Sequence, residues 1–384
     1  MKVLFVNTRY PPEGRAGPAF SVQYLAEQHA KEGGSAIVFC RSDRPGISRD
    51  VINGVEVVRA GVDLATEQLL GVWGQALDHY RPDIVHTNLL LQMPPTMLAR
   101  LVKQRGLKLV HTLREFSLVC PTELMRNGRV CTEQCPDCRD ATAPRREFSQ
   151  LLDGVVGVSQ YILSAHKHMG LFAETPIQRV IHNAYAPPER LASAPSVGSP
   201  LRIGFLGRLD PLKGVELLLD TLLNKLADRS WTLTLAGRGS AAGNSAPDYE
   251  AKLIGNAPDP RIRFLGFVRP ANLLSQIDVL VVPSLLAEAL ARVALEAYAH
   301  GVAVIGSRRG GIPEVIEEER TGLLFDPGAT DGPGSLATAL AALLDDHELV
   351  AAMKINALAK WQKEFTPEKI LAEYREVYDA VAKA

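Results

Sequence analysis

The sequence predicts an α/β protein of two domains, each a mainly parallel sheet covered by helices on both faces. Three observations lead there. The chain has 384 residues, too many for one ordinary core at roughly 150 residues per domain. Short apolar runs rich in β-branched residues alternate with longer segments of helical spacing, and this happens in two successive series. Between the series, residues 185–200 are rich in Pro, Ala and Ser and carry neither period, so they read as a connection.

In the first series the strand candidates are 2–7, 36–40, 55–60, 83–88, 107–113, 154–159 and 179–183. Several are apolar on both faces, which a parallel sheet requires because neither of its faces meets water. The second series offers 201–206, 231–236, 261–265, 279–283, 303–307 and 323–325, with helical segments such as 215–227 and 291–300. The last segment, 367–383, has helical spacing through Ile370, Leu371, Tyr374, Val377 and Val381 and is expected to pack back on the first domain. The expected domains are therefore 1–185 with that final helix, and 200–366. Two such halves would leave a cleft, and ligands of open α/β sheets sit at the carboxyl ends of strands. The loops after these runs are thus where chemistry is sought.

Composition narrows the function. A hydrophobic fraction of 46% and a charged fraction of 22% are globular values that exclude bulk disorder. Lys+Arg 42 against Asp+Glu 43 leaves a net charge of -1, which removes the long-range case for a nucleic-acid binder. No run approaches the ~18 apolar residues of a membrane span. Five cysteines in so long a chain do not form the framework of a small secreted domain. A soluble cytoplasmic protein without a signal peptide is expected.

Glu288 and Glu296 bracket seven residues. If Glu296 lies on a helix starting near Ala291, Glu288 sits in the loop before it, and the free amides of the helix start favour an anion. Gly310-Gly311-Ile312-Pro313-Glu314 closes the next strand-to-helix turn, where glycine lets backbone approach a ligand. Arg208 and Lys213 follow the first strand of the second series. A guanidinium fork and a flexible ammonium five residues apart suit a diphosphate. Gly14-Arg15-Ala16-Gly17 lies between the first strand and a helical run, and His111 ends the run 107–113, where an imidazole can serve a hydroxyl or developing charge. Gly237-Arg238-Gly239-Ser240-Ala241-Ala242 fits a loose dinucleotide fingerprint. That would suit a nicotinamide oxidoreductase, but the fingerprint lies deep inside the second series and no hydride-transfer site follows it.

The segment holding Glu288 and Glu296, with Gly207-Arg208-Leu209-Asp210-Pro211-Leu212-Lys213-Gly214 and the first glycine loop, resembles glycosyltransferase family 4 and its E-x7-E donor signature. The resemblance implies a GT-B fold of two Rossmann-like domains, the first for the acceptor and the second for the donor. It implies a retaining transferase moving a hexose-type sugar from a UDP- or GDP-sugar, without a catalytic metal, in cell-surface polysaccharide or glycoconjugate synthesis. Arg208 and Lys213 would then hold the leaving diphosphate, Glu288 the sugar hydroxyls and Glu296 the ribose. Gly14, Gly17, Gly207 and Gly237 would border the donor together with Ala291, Arg292 and Val293, and the backbone of Gly266, Phe267 and Val268 would lie near the base. His111 matches a family histidine facing the donor sugar, and Asn183 falls in a family loop near the cleft. The chain departs from the family in carrying Ala289 and Ala291 where Pro and Gly are frequent, which keeps a non-catalytic nucleotide-sugar-binding protein as the alternative.

Four of the five cysteines, Cys120, Cys131, Cys135 and Cys138, fall in one short stretch with spacing C-x10-C-x3-C-x2-C. Four thiolates suit a structural zinc ion, while free thiols or a redox pair at Cys135-Pro136-Asp137-Cys138 also fit. Cys40 reads as a small core residue. Arginines crowd the same region (Arg114, Arg126, Arg129, Arg139, Arg145, Arg146), and Arg9, Arg15, Arg41, Arg44 and Arg49 lie near other strand ends. With overall charge near zero, this clustering suits an anionic acceptor: a glycan, lipid-linked or small-molecule partner, with peripheral contact at the inner membrane face.

Overall fold

The computed structural model describes residues 1–14, 17–122, 125–126, 129–131, 133–187, 197–239 and 249–384, with backbone alone at 125–126 and 129–130. The chain divides into two compact units, Met1–Ala184 joined by Thr366–Ala384, and Tyr185–Phe365. No helix of the described residues is long and apolar enough to cross a membrane.

The strands of the first unit are β1 (Lys2–Asn7), β2 (Ser35–Ser42), β3 (Ile47–Ile52), β4 (Val55–Gly61), β5 (Ile84–Thr87), β6 (Lys108–Leu113), the two-residue β7 (Met125–Arg126) and β8 (Arg129–Val130), β9 (Gly154–Gly157) and β10 (Ile177–Val180). The main sheet runs β10-β9-β6-β5-β1-β2-β4-β3. All its pairings are parallel except the edge hairpin of β3 with β4. The chain winds outward from β1 in both directions, so the crevice between β1 and β5 is the switch point where such sheets take ligands.

Two expected boundaries shift for local reasons. The strand expected at 154–159 stops at Gly157 because Ser159 caps the helix Gln160–His168, its hydroxyl accepting the Ile162 N–H at 3.1 Å. The strand expected at 179–183 is Ile177–Val180, in register with β9 from Ile177↔Gly154 to Val180↔Gly157, and it ends where its partner ends. The β3 strand was not expected at all.

The helix Pro367–Lys383 begins on a Thr366 cap with proline in its first turn. It buries Ile370, Tyr374, Val377, Tyr378 and Val381 in one core with Val3, Phe5, Val22, Val38 and Val110. Its tyrosines also complete a polar chain in that core. His86 Nδ1 meets Tyr378 Oη at 2.7 Å, His86 Nε2 meets Thr112 Oγ1 at 2.7 Å, and Thr112 Oγ1 meets Tyr374 Oη at 3.0 Å. Burial holds His86 well below the usual histidine range, so the imidazole is neutral.

The second unit contains β11 (Leu201–Leu206), β12 (Trp231–Ala236), β13 (Ile262–Gly266), β14 (Val279–Val282), β15 (Ala303–Ser307) and β16 (Gly322–Phe325), paired in the order β13-β12-β11-β14-β15-β16 and all parallel. Its switch point lies between β11 and β14. The helix expected over 215–227 is shorter: Val215–Asp220 gives way to a wider π turn, Thr221–Lys225, where the Thr221 hydroxyl donates back to the Leu217 carbonyl at 2.8 Å. Under the sheet, fully buried Asp278 accepts from Arg202 Nη2 at 2.7 Å and from Lys354 Nζ at 2.8 Å, which ties β11, β14 and the helix His347–Glu364 together.

Candidate functional site

At the switch point of the second unit the loops after β11 and β14 meet. Asp210 opens a short 3-10 turn, Pro211–Lys213, by accepting the Leu212 N–H at 2.9 Å. Gly214 follows with φ 71°, and a Cβ there would stand 2.0 Å from the Pro283 carbonyl oxygen. Only glycine permits that approach, and the Leu285 N–H then donates to the Leu212 carbonyl at 2.9 Å. Lys213 is thereby held over the end of β14. Its Nζ lies 2.5 Å from Glu288 Oε1, and the Ser284 hydroxyl donates to the same oxygen at 2.7 Å.

Glu288 is fixed from its other side by the loop after β15. Gly311 N–H donates to the Glu288 carbonyl at 2.8 Å. Gly310 has φ 57°, and a Cβ on it would fall 2.1 Å from that same carbonyl oxygen. Burial pushes the Glu288 carboxyl upward, but Lys213, Ser284 and Arg208 together outweigh it and hold the group below its usual range. Arg208, Lys213 and Glu288 therefore share one electrostatic patch, with Arg208 exposed at its rim.

Glu296 lies on the helix Arg292–Ala299, where it takes Arg292 Nε at 3.0 Å. Burial raises its carboxyl above the usual value despite Arg292. The helix begins one residue later than expected. Its start is less open than a free N-terminus, because Arg292 N–H donates to the Leu290 carbonyl and Ala294 N–H to that of Ala291. Ala291 is buried, and Arg292 and Val293 are half-buried. Gly207, Gly237 and Gly266 line up across the strand ends: Gly207 N–H donates to the Ala236 carbonyl at 3.0 Å and Gly237 N–H to that of Gly266 at 2.8 Å. Phe267 beside them is 67% exposed and Val268 is half-buried. Residues 240–242 of the glycine fingerprint lie outside the described residues.

In the first unit, His111 is buried at the end of β6, with Phe148 edge-on at 5.0 Å and Thr87 Oγ1 2.9 Å from its Nδ1. Thr87 donates its own hydrogen to the Val110 carbonyl at 3.2 Å, which leaves its oxygen to accept from Nδ1 and makes Nε2 the acceptor. Burial, then His166 and Arg114, lower His111 to about 3. Beside it, Arg114 donates from Nε to Asn88 Oδ1 at 2.9 Å and from Nη1 to Asn183 Oδ1. Sequence reasoning named Arg114 and Asn183 separately and missed Asn88, which their contact joins. Gly14 N–H donates to the Tyr10 carbonyl at 3.3 Å and Gly17 opens the helix Gly17–Lys31; Arg15 and Ala16 lie outside the described residues.

The structural zinc expected from Cys120, Cys131, Cys135 and Cys138 finds no support: among the described residues no group of three or more His, Cys, Asp or Glu side chains is placed to hold a metal ion. The observed contacts centre on Cys138, whose Sγ lies 3.6 Å from Cys120 Sγ, with Thr122 Oγ1 3.2 Å from Cys120. Burial and hydrogen bonds with Cys135 and Cys120 push the Cys138 thiol up to about 12. Cys40 is a fully buried core residue, as expected. Several arginines of this region serve structure: Arg145 donates to the Ser117 carbonyl, and Arg146 Nη2 to Gln134 Oε1 at 3.1 Å. The side chains of Arg126 and Arg129 lie outside the described residues.

Two mostly parallel sheets covered by helices are the architecture of the GT-B class of glycosyltransferases. Solved structures share this fold over the whole chain. Sucrose-phosphate synthase from Thermosynechococcus elongatus superposes with TM-score 0.76 at 18% identity, covering 99% of both chains. Anabaena HepE, solved with UDP and glucose, gives TM-score 0.75 at 20% identity, also covering 99% of both. In sequence, residues 16–184 match the family described as glycosyl transferase 4-like domain, and residues 200–346 match glycosyl transferases group 1. The chain belongs to glycosyltransferase family 4. The D-inositol 3-phosphate glycosyltransferase of Corynebacterium urealyticum is 28% identical over an alignment of 420 residues, covering 98% of this chain and 95% of that protein.

Proposed function

We propose that this glycosyltransferase moves a hexose-type sugar from a nucleoside-diphosphate sugar, held by the second unit, to an acceptor hydroxyl presented by the first, with retention of configuration. The observation that carries the reading is the Lys213–Glu288 pair at 2.5 Å, with Ser284 and Arg208 around it at the switch point of a parallel sheet. An ammonium group has three N–H donors; one serves Glu288 and the others remain for diphosphate oxygens. Arg208 adds a second positive charge where the leaving group gains negative charge, the term that contributes most in transfers of this kind. Glu288, held ionised by its neighbours, accepts from sugar hydroxyls. Glu296 is assigned to the ribose and exposed Phe267 to the base; HepE, of the same fold, was solved with UDP-glucose.

Glu288, engaged by Lys213 and Ser284, is assigned to the sugar hydroxyls rather than to attack on the sugar, and His111 at about 3 is too weak a base to deprotonate an alcohol. Front-face attack, with the departing phosphate oxygen taking the acceptor proton, is therefore the step assigned. His111 orients a hydroxyl through Nε2. The product belongs to cell-surface polysaccharide or glycoconjugate synthesis. The test is turnover of a panel of UDP-, GDP- and ADP-sugars by the wild type and Lys213→Ala. Release of nucleoside diphosphate by the wild type and its loss in the variant support the reading; binding of nucleotide-sugar without release or transfer would leave a non-catalytic binder.

A further inference from the structure

Two buried arginines stand near the carboxyl edge of the first unit's sheet, and their partners differ. Arg59, 3% exposed, is fully engaged: Nη1 donates to the Tyr10 carbonyl at 2.9 Å, Nη2 to the Pro11 carbonyl at 2.7 Å, and Nε lies 3.4 Å from Asp50. Arg41 on β2 is 4% exposed, yet its Nε and Nη1 have no hydrogen-bond partner among the described residues. Its backbone is anchored beside the switch strand, since Arg41 N–H donates to the Thr8 carbonyl at 3.0 Å.

The charges around Arg41 do not satisfy it. Arg9, from the loop after β1, adds positive charge and pairs with exposed Asp43 at 2.5 Å. Asp63, the nearby carboxylate, accepts the Gly46 N–H at 3.0 and 3.3 Å. A guanidinium in water would keep its hydrogen bonds, and one buried without them is destabilising unless a ligand supplies an anion. The guanidinium group also matches the geometry of carboxylate and phosphate oxygens.

We infer that Arg41, with Arg9 beside it, binds an oxyanion carried by the acceptor, a phosphate or a carboxylate. This rests on the assignment of the acceptor to the first unit. The transferred sugar would then go to an anionic acceptor, with Arg41 positioning the molecule from a group that takes no part in bond making.

The experiment follows thermal unfolding of the full chain in HEPES buffer at constant ionic strength set with sodium chloride. Without an oxyanion, Arg41→Met melts at or above the wild-type temperature, because an uncompensated buried charge has been removed. A lower melting temperature for both Arg41→Met and Arg41→Gln would show a structural arginine and overturn the inference. Inorganic phosphate at a few times its dissociation constant raises the midpoint of the wild type and of Lys213→Ala by about 1–2 °C, and leaves the Arg41→Met/Lys213→Ala double variant unmoved. An equal response of the double variant and Lys213→Ala, or no response in Lys213→Ala, would overturn it. Malonate in place of phosphate separates the sources: a response to both assigns any oxyanion, and a response to phosphate alone assigns a phosphate. Nucleotide binding is measured independently, so failure of the donor reading leaves an Arg41-dependent phosphate response plainly visible.

Discussion

Removing the Lys213 ammonium tests the donor site most directly, because two independent observables should move together. In the folded chain burial is the largest influence on Glu288 and pushes its carboxyl upward; Lys213, by charge and hydrogen bond, supplies the two strongest opposing effects, ahead of Ser284 and Arg208. In Lys213→Ala burial prevails, and the Glu288 carboxyl rises above its wild-type value. The sign follows: a carboxylate held low in the native state loses its contribution as pH falls through that value, so raising it moves the acidic limb of kcat/KM to higher pH. At neutral pH the variant also lacks one preorganised donor to the leaving diphosphate. Such a loss lowers kcat by about 10²–10³, equivalent to about 2.7–4 kcal/mol of transition-state stabilisation. The assay is steady-state release of nucleoside diphosphate from the preferred donor between pH 4.5 and about 9, beside Lys213→Arg, which keeps the charge and should recover part of the rate. A Lys213→Ala enzyme within tenfold of the wild type, with its acidic limb unmoved, would refute the reasoning.

Asp278→Ala removes the buried carboxylate that accepts from Lys354 and Arg202 beneath the second sheet, and urea denaturation should show a loss of about 3–5 kcal/mol; a change below about 1 kcal/mol would mean the triad contributes little. Gly310→Ala forces a left-handed residue and a Cβ against the Glu288 carbonyl, so nucleotide affinity, read by calorimetry, should fall by roughly tenfold or more while the far-ultraviolet circular dichroism is kept. Because His111 titrates near 3, its carbon-bound proton resonances should show no titration between about pH 5.5 and 8; a midpoint near 6.5 would contradict its buried, neutral state.

The parallel strands were legible because burial on both faces writes them as continuous apolar runs, as in Val3 to Val6 and Val279 to Val282. The edge strand β3, Ile-Ser-Arg-Asp-Val-Ile, was not, since a mostly exposed antiparallel edge carries charges and no core pattern. Strand ends follow partners that sequence order does not reveal: β10 ends at Val180, in register with Gly157, the last residue of β9. In the site, Lys213 and Glu288 were singled out individually, but the 75-residue separation hides their contact. Glu296 was legible as a motif position, while its pairing with Arg292 over one helical turn was not anticipated. Arg41 was one name among many arginines; what distinguishes it is an absence of partners within a packed fold, and no local spacing encodes that. The cysteine spacing suggested four converging thiolates, whereas the described contacts join Cys138 to Cys120 and Cys135.

The helix Pro367–Lys383 has a bearing on the order in which the chain acquires its structure during synthesis. The sheet of the second unit and the helices that cover it are contiguous between Tyr185 and Phe365, so they are complete once that stretch has left the ribosome. The first unit, although translated earlier, lacks Tyr374, Val377 and Tyr378 until the codons for Pro367–Lys383 are read. The portion made first is consequently completed after the second unit, with His86 and Thr112 joined by tyrosines that follow them by 292 and 262 residues.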